Sequence, residues 1–335
     1  MRLRTSIVLC LLILALLAET TGVSAVPRTP GSSRVALGVA SPPGRSVAHL
    51  DEFSRNMGRR PSIWVTWSQW GLPGTQRFPT KFARALAARG VTPMIWWEPV
   101  DPRNKGAATY ARHRNIIRGD HDAYIREYAR RAKSFGGTVL LRFAHEGNSN
   151  YFPWSVNFFD NTSRTFIAAW RHVHDIFRRQ GAHNVKFVWS VAKKRCPGGC
   201  NPYRAVYPGD AYVDIVGLSN HNWGAMKGRW VPMYRGVLRA SRLLRSITKK
   251  PMMIAEMGTN DQGGDKAAWI RRGYRKVTDR LPYIKAIVYL DADLRRVGHP
   301  DWSIGGKRRV MSAFADVAAM RRFRVRAPFG SPRPR

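Results

Sequence analysis

Eight short runs of aliphatic, β-branched and aromatic residues punctuate the chain, at positions 35–39, 63–67, 92–97, 139–144, 185–190, 213–218, 252–256 and 285–290. Each has the length of a strand, and most are apolar at successive positions, as strands covered on both faces must be. Between most of these runs the apolar positions instead recur every three or four residues. That spacing predicts helices at 49–57, 81–89, 120–134, 164–179, 231–247, 266–280 and 306–321. The connection between the fifth and sixth runs is the exception and is taken up by a loop holding two cysteines. Strand and helix in alternation imply a parallel sheet, and eight strands favour closure over an open sheet. An open nucleotide-binding sheet would carry Gly-x-Gly-x-x-Gly or a phosphate loop ending in Lys-Ser/Thr, and neither is present. The predicted fold is α/β, a single-domain (β/α)8 TIM barrel over residues 34–323.

The flanks read differently. Arg2 and Arg4 precede an apolar run at 7–18 and the small-residue pattern Val23-Ser24-Ala25, the layout of a secretory signal peptide over residues 1–25. A run of that length falls short of the roughly 20 residues that cross a membrane. The expected protein is secreted, without a membrane span. Residues 26–33 read as a disordered entry, and the Arg/Pro-rich stretch 324–335 as a basic disordered tail. Cys196 and Cys200 lie in a Pro/Gly turn, which in an exported chain predicts one small disulfide. A metal site is the rival reading. It needs a second ligand pair at matching spacing, none is evident, and neither metal nor cofactor is expected.

Formal charge is +36 over 335 residues, extreme for an enzyme. Such a charge bears on solubility and adhesion rather than on fold. Arg126, Arg130, Arg131, Arg171, Arg178, Arg179, Arg271, Arg272, Arg275 and Lys276 fall along predicted helices with no accompanying nucleic-acid motif. They read as solvated helix faces of a monomer with no specific nucleic-acid partner. Non-specific attachment to anionic cell-wall polymers stays open.

In a barrel of this kind chemistry sits at the C-terminal ends of strands. The fourth run ends in Arg142-Phe143-Ala144-His145-Glu146 and the seventh in Ile254-Ala255-Glu256, which brings two glutamates to the same end. Glycosidic cleavage needs one carboxyl to protonate the leaving oxygen and another, ionised, against the developing oxocarbenium ion. Spacing alone leaves a second reading open, in which either glutamate pairs structurally with Arg142.

Arg142-Phe143-Ala144-His145-Glu146-Gly147-Asn148 followed by Tyr151-Phe152-Pro153-Trp154 resembles the acid/base motif of glycoside hydrolase family 26, which comprises β-mannanases and related β-glucanases and β-xylanases. Asp214-Ile215-Val216-Gly217-Leu218 with Asn222-Trp223 is similar to its sixth-strand segment, Pro251 to Gly258 to its nucleophile strand, and Asp301-Trp302-Ser303-Ile304 to its closing motif. The resemblance implies Glu146 as acid/base, Glu256 as nucleophile and a retaining double displacement on a β-linked polysaccharide. Endo-β-1,4-mannan is the leading substrate, β-1,3-1,4-glucan and β-xylan are alternatives, and a non-catalytic carbohydrate- or cell-wall-binding barrel is a further one.

Sugar contacts are expected from His145, Arg142, Asn148, Trp154, His221, Asn222, Trp223, Trp97 and Tyr289. Strand alternation lets only one of Trp96 and Trp97 face the barrel interior, and Trp97 is the one assigned. The chain departs from the family at three of its positions: Gly147 stands where Met is common, His221 where a Tyr would bond the nucleophile, and Tyr289 where a Trp platform is frequent.

Overall fold

The computed structural model describes residues 34–42, 46–104, 109–193, 201–325 and 329–333. The expected signal peptide, the entry segment and the Cys196–Cys200 disulfide lie outside the described residues. The eight strands are β1 (Ala36–Ala40), β2 (Ile63–Gln69), β3 (Thr92–Glu98), β4 (Val139–Phe143), β5 (Val185–Ala192), β6 (Ile215–Asn222), β7 (Met252–Thr259) and β8 (Ile284–Leu290). They form a closed parallel barrel in chain order, sealed by β1 against β8 with Ala36 opposite Ala286.

The helices are α1 (Val47–Met57), α2 (Thr80–Ala88), α3 (His113–Arg118), α4 (Asp122–Phe135), α5 (Ser163–Arg179), α6 (Met233–Ile247), α7 (Lys266–Arg280) and α8 (Arg308–Ala319). The six residues of α3 are too few to show a helical period in sequence. Between β5 and β6 the described residues hold two 3-10 turns, Tyr203–Val206 and Asp210–Tyr212, and no α-helix.

Alternation along each strand sorts the apolar side chains into two cores. Ile63, Val65, Met94, Trp96, Leu140, Val188, Ile215, Met253 and Val288 fill the barrel interior. Leu37, Trp64, Ile95, Trp97, Leu141, Phe143, Phe187, Leu218 and Tyr289 point outward into the layer beneath the helices. Helix α5 shows why the helices dock. Phe166, Ala169, Trp170, Val173 and Phe177 share one face and are buried, each large side chain contributing roughly 1.5–3 kcal/mol. A capping box between Thr162 and Thr165 fixes where that helix begins.

One expectation at the C-terminal end is corrected. Part of the stretch read as a disordered tail is docked at the N-terminal end of the barrel. Thr138 N donates to Ser331 O at 2.8 Å, Ser62 Oγ donates to Val325 O, and Phe329 packs against the interior core. An apolar ring facing an open barrel end explains why this segment does not behave as its Arg/Pro composition suggests.

Candidate active site

Two local irregularities aim the glutamates. In β7, Ile254 pairs with Leu218 while Glu256 pairs with Ser219, so Ala255 is an extra residue. The β8 side shows the same insertion, with Ile254 opposite Ile287 and Met257 opposite Tyr289. Ile254 and Met257 both face the helix layer, Ala255 faces the interior, and the bulge turns Glu256 inward beside it. At the end of β4, Ala144 and Glu146 have φ of 40° and 54°, a left-handed conformation that costs about 1–3 kcal/mol in such residues. It is held by Ala144 N donating to Trp97 O at 3.1 Å and Glu146 N to Ser190 O at 2.7 Å. Gly147 is required by packing, because a Cβ there would come within 2.1 Å of the Phe166 ring.

Arg142, fully buried on β4, organises the pair. Its Nη1 donates to Glu256 Oε2 at 2.7 Å, its Nη2 to Ser219 Oγ at 2.6 Å and its Nε to Ser190 Oγ at 3.0 Å. Nη2 also lies 4.0 Å from Glu146 Oε1, and the guanidinium sits over the Trp96 ring. His221 Nε2 lies 3.4 Å from Glu256 Oε1, within ion-pair range but without hydrogen-bond geometry.

The two carboxyls, both over nine-tenths buried, are driven apart. Burial, with the Glu256 charge adding to it, pushes Glu146 above its usual value against the pull of Arg142. Burial would raise Glu256 too, but Arg142 and His221 outweigh it and hold Glu256 well below the usual carboxylate range. The arrangement places in a single site one carboxyl that keeps its proton to higher pH than usual and one that stays ionised to lower pH.

The remaining candidates divide. His145 stands among Trp96, Phe152 and Trp154, and its Nδ1 has no hydrogen-bond partner. Burial, then the charge of Arg142, keeps its pKa well below the ordinary value, so the ring is neutral. His221 and Trp223 are partly open at the mouth.

Five expected sugar contacts are corrected. Trp97 donates from Nε1 to Tyr124 OH at 3.0 Å in the helix layer, and it is Trp96 that faces inward. Tyr289 also points outward, against Phe314 of α8, with its hydroxyl at the Thr259 backbone. Asn148 exchanges both of its amide functions with the backbone of Ala192, and Asn222 bonds Thr259 Oγ1 and Val231 N; each is at most 1% exposed. Trp154 donates to His145 O at 2.7 Å and stacks on Phe152, so it positions His145 rather than facing the groove.

Two aromatic residues outside the expected set of sugar contacts stand closer to the chemistry. Trp302, from the loop after β8, lies inside the barrel with its ring 5.0 Å from that of His221 and 5.6 Å from that of Trp223. Gly258 leaves it room, since a Cβ there would sit 3.1 Å from the indole. Its loop is held by Lys307 to Asp301 Oδ2 at 2.8 Å and by buried Lys266 to Asp301 O at 3.3 Å. Burial, chiefly, draws the Lys266 pKa down to about 8. Tyr151 is half exposed and close enough to Glu146 for that charge, after burial, to raise its pKa. The signal for Trp302 was present in its own Asp301-Trp302-Ser303 motif. Among the described residues no group of three or more His, Cys, Asp or Glu is placed to hold a metal ion.

A closed (β/α)8 barrel with two buried glutamates of opposed acidity at the C-terminal ends of β4 and β7 has the architecture of a carbohydrate-cleaving barrel. The chain belongs to glycosyl hydrolase family 26, whose pattern it matches over residues 78–269. It is 31% identical to endoglucanase H of Acetivibrio thermocellus over 277 residues, 81% of this chain and 29% of that protein. It is 23% identical to beta-1,3-xylanase TXYA of a Vibrio species over 75% of this chain and 56% of that one. The chain therefore spans about a third to about half the length of these relatives. Its fold is that of an endo-beta-1,4-mannanase double mutant from Cellulomonas fimi, with TM-score 0.68 and 16% identity over 90% of this chain and 75% of that one.

Proposed function

We propose that the protein is a secreted, retaining glycoside hydrolase of β-linked polysaccharide, with Glu146 as acid/base and Glu256 as nucleophile. The observation that carries this is the opposed acidity of the two carboxyls about one guanidinium. Arg142 bonds Glu256 at 2.7 Å and stands off from Glu146 at 4.0 Å. Glu146 protonates the glycosidic oxygen as Glu256 attacks the anomeric carbon, giving a covalent glycosyl-enzyme and the departed sugar alcohol. Glu146, now ionised, takes a proton from water, which displaces Glu256 and restores both groups. Ser219 Oγ accepts from Arg142 and also favours the ionised form of Glu146, coupling the two sites. His145 Nδ1, buried without a partner, is the natural acceptor for a sugar hydroxyl, and Trp67, Tyr151 and Trp223 are the rings on which sugars would stack.

For the polymer, the motif resemblance points to β-1,4-mannan. β-Glucan is the second reading, favoured by the similarity to endoglucanase H across most of the chain. Reducing-sugar release from mannan, mixed-linkage glucan and xylan decides between them. Glu256→Ala should bring release to background, and Glu146→Ala should lower it by about 10²–10⁴, with recovery on a substrate whose leaving group needs no proton. Polysaccharide binding without release by the unmodified protein would instead mean a non-catalytic barrel.

A further inference from the structure

Two helices of this basic protein, α3 and α4, hold every one of their arginines in an ion pair. On α4, Arg126 meets Asp122, and Arg130 and Arg131 meet Glu127; on the α7–α8 side, Arg271 meets Asp316. Helix α6 and the outer face of α7 differ. Residues 233–250 hold six basic residues and no acidic one. Arg235, Arg239 and Arg242 are all exposed on α6, spaced so that one basic side chain follows another at about one helical turn, roughly 5.4 Å. Lys249, exposed just beyond the end of α6, adds a further positive charge. On the neighbouring helix, Arg272, Arg275, Lys276, Asp279 and Arg280 line a shallow depression. Its one acid, Asp279, is already paired with Arg322, and Lys276 reaches over the Tyr234 ring on α6, linking the two stripes. Among the described residues no ion pair involves Arg235, Arg239, Arg242, Arg272, Arg275, Lys276 or Arg280.

We propose that the α6–α7 face is a docking surface for a linear anionic polysaccharide, one bearing a carboxylate on each sugar. Like-charged side chains held without counter-charges are self-repelling, and a polyanion laid along the two stripes relieves that repulsion with release of its counterions. The surface lacks what a nucleic acid would use beyond charge. Tyr234 lies under Lys276 and Tyr283 under Arg245. Among the described residues the exposed large aromatics, Tyr151 and Phe159, belong to the β4–α5 connection, and the two partly exposed tyrosines of this face each have a cation over the ring, so neither offers a base an open stacking platform. Because α6 and α7 flank β7, a bound matrix polymer would retain the barrel beside its neutral substrate without entering the groove. The inference does not depend on turnover.

The test measures binding to polygalacturonate by affinity electrophoresis at about 50 and 200 mM salt, with single-stranded DNA as a second probe. The five-site variant Arg235→Gln, Arg239→Gln, Arg242→Gln, Arg272→Gln, Lys276→Gln is compared with a control of equal charge loss, Arg55→Gln, Lys81→Gln, Arg84→Gln, Arg130→Gln, Lys133→Gln. Thermal melts establish that both are folded. The expected result is salt-sensitive binding by the unmodified protein and the control, weakened roughly tenfold or more in the five-site variant. Equal weakening in both variants would mean a diffuse charge effect and overturn the proposal, as would no binding at low salt. DNA bound far more tightly than polygalacturonate would assign the face to nucleic acid instead.

Discussion

Arg142 touches or approaches every charged group in the proposed mechanism, and its removal should be legible in the pH profile. Glu256 must be ionised to attack, and the guanidinium at 2.7 Å is the main influence holding it so. In Arg142→Met the carboxyl pKa rises, so the acid limb of kcat/KM against pH should move upward toward neutrality. An unmoved limb would show that some other group keeps Glu256 ionised. The same change leaves a buried charge without its partner, an effect of about 3–5 kcal/mol on stability, measurable by denaturant unfolding. Other single residues were harder to read. The assignment of Trp97 over Trp96 failed because alternation says only that neighbours face opposite ways, not which way either faces. Asn148 and Asn222 have the chemistry of sugar ligands, but the backbone of Ala192 and of Val231 takes their amides first.

At the level of elements, periodicity made the eight strands and the long helices readable, because burial on a face repeats at a fixed interval. What it missed are the breaks in that repeat. The six-residue helix α3 has no period to detect. The extra residue Ala255 is invisible in a run of apolar residues, although it determines that Glu256 faces the groove. Helix α3 also carries a pH response. His113 Nε2 donates to Trp154 O at 2.9 Å, and its Nδ1 meets Thr165 Oγ1 at 3.0 Å. It thereby ties the loop that positions His145 to α3 and α5. Burial lowers its pKa from 6.5 to about 4. The unfolded chain therefore takes up this proton first as pH falls, and the stabilisation is full above about 6.5 and is lost progressively down to about 4, by roughly 3 kcal/mol. Urea midpoints between pH 7 and 4 should fall more steeply for the unmodified protein than for His113→Gln. Parallel curves would place the acid sensitivity elsewhere.

For the molecule as a whole, the two ends of the barrel have separate roles. The C-terminal ends of the strands carry the glutamates, while the opposite end is covered by the segment around Phe329 and Ser331. Phe329→Ala should therefore lower the melting midpoint, by an amount corresponding to about 1–2 kcal/mol of apolar burial, and leave kcat/KM below the unfolding temperature unchanged. A loss of activity without loss of stability would contradict that division. Closure of the barrel also has a consequence in time. The edge of β1 that meets β8 waits for a partner 250 positions further along, Ala36 for Ala286. At synthesis rates of about 5–20 residues per second that interval is on the order of 10–50 s. Throughout it the nascent chain carries an unsatisfied strand edge, a template for pairing with a second nascent copy. Crowding of ribosomes on one message, rather than any property of the finished barrel, is then the condition under which this fold is most exposed to aggregation.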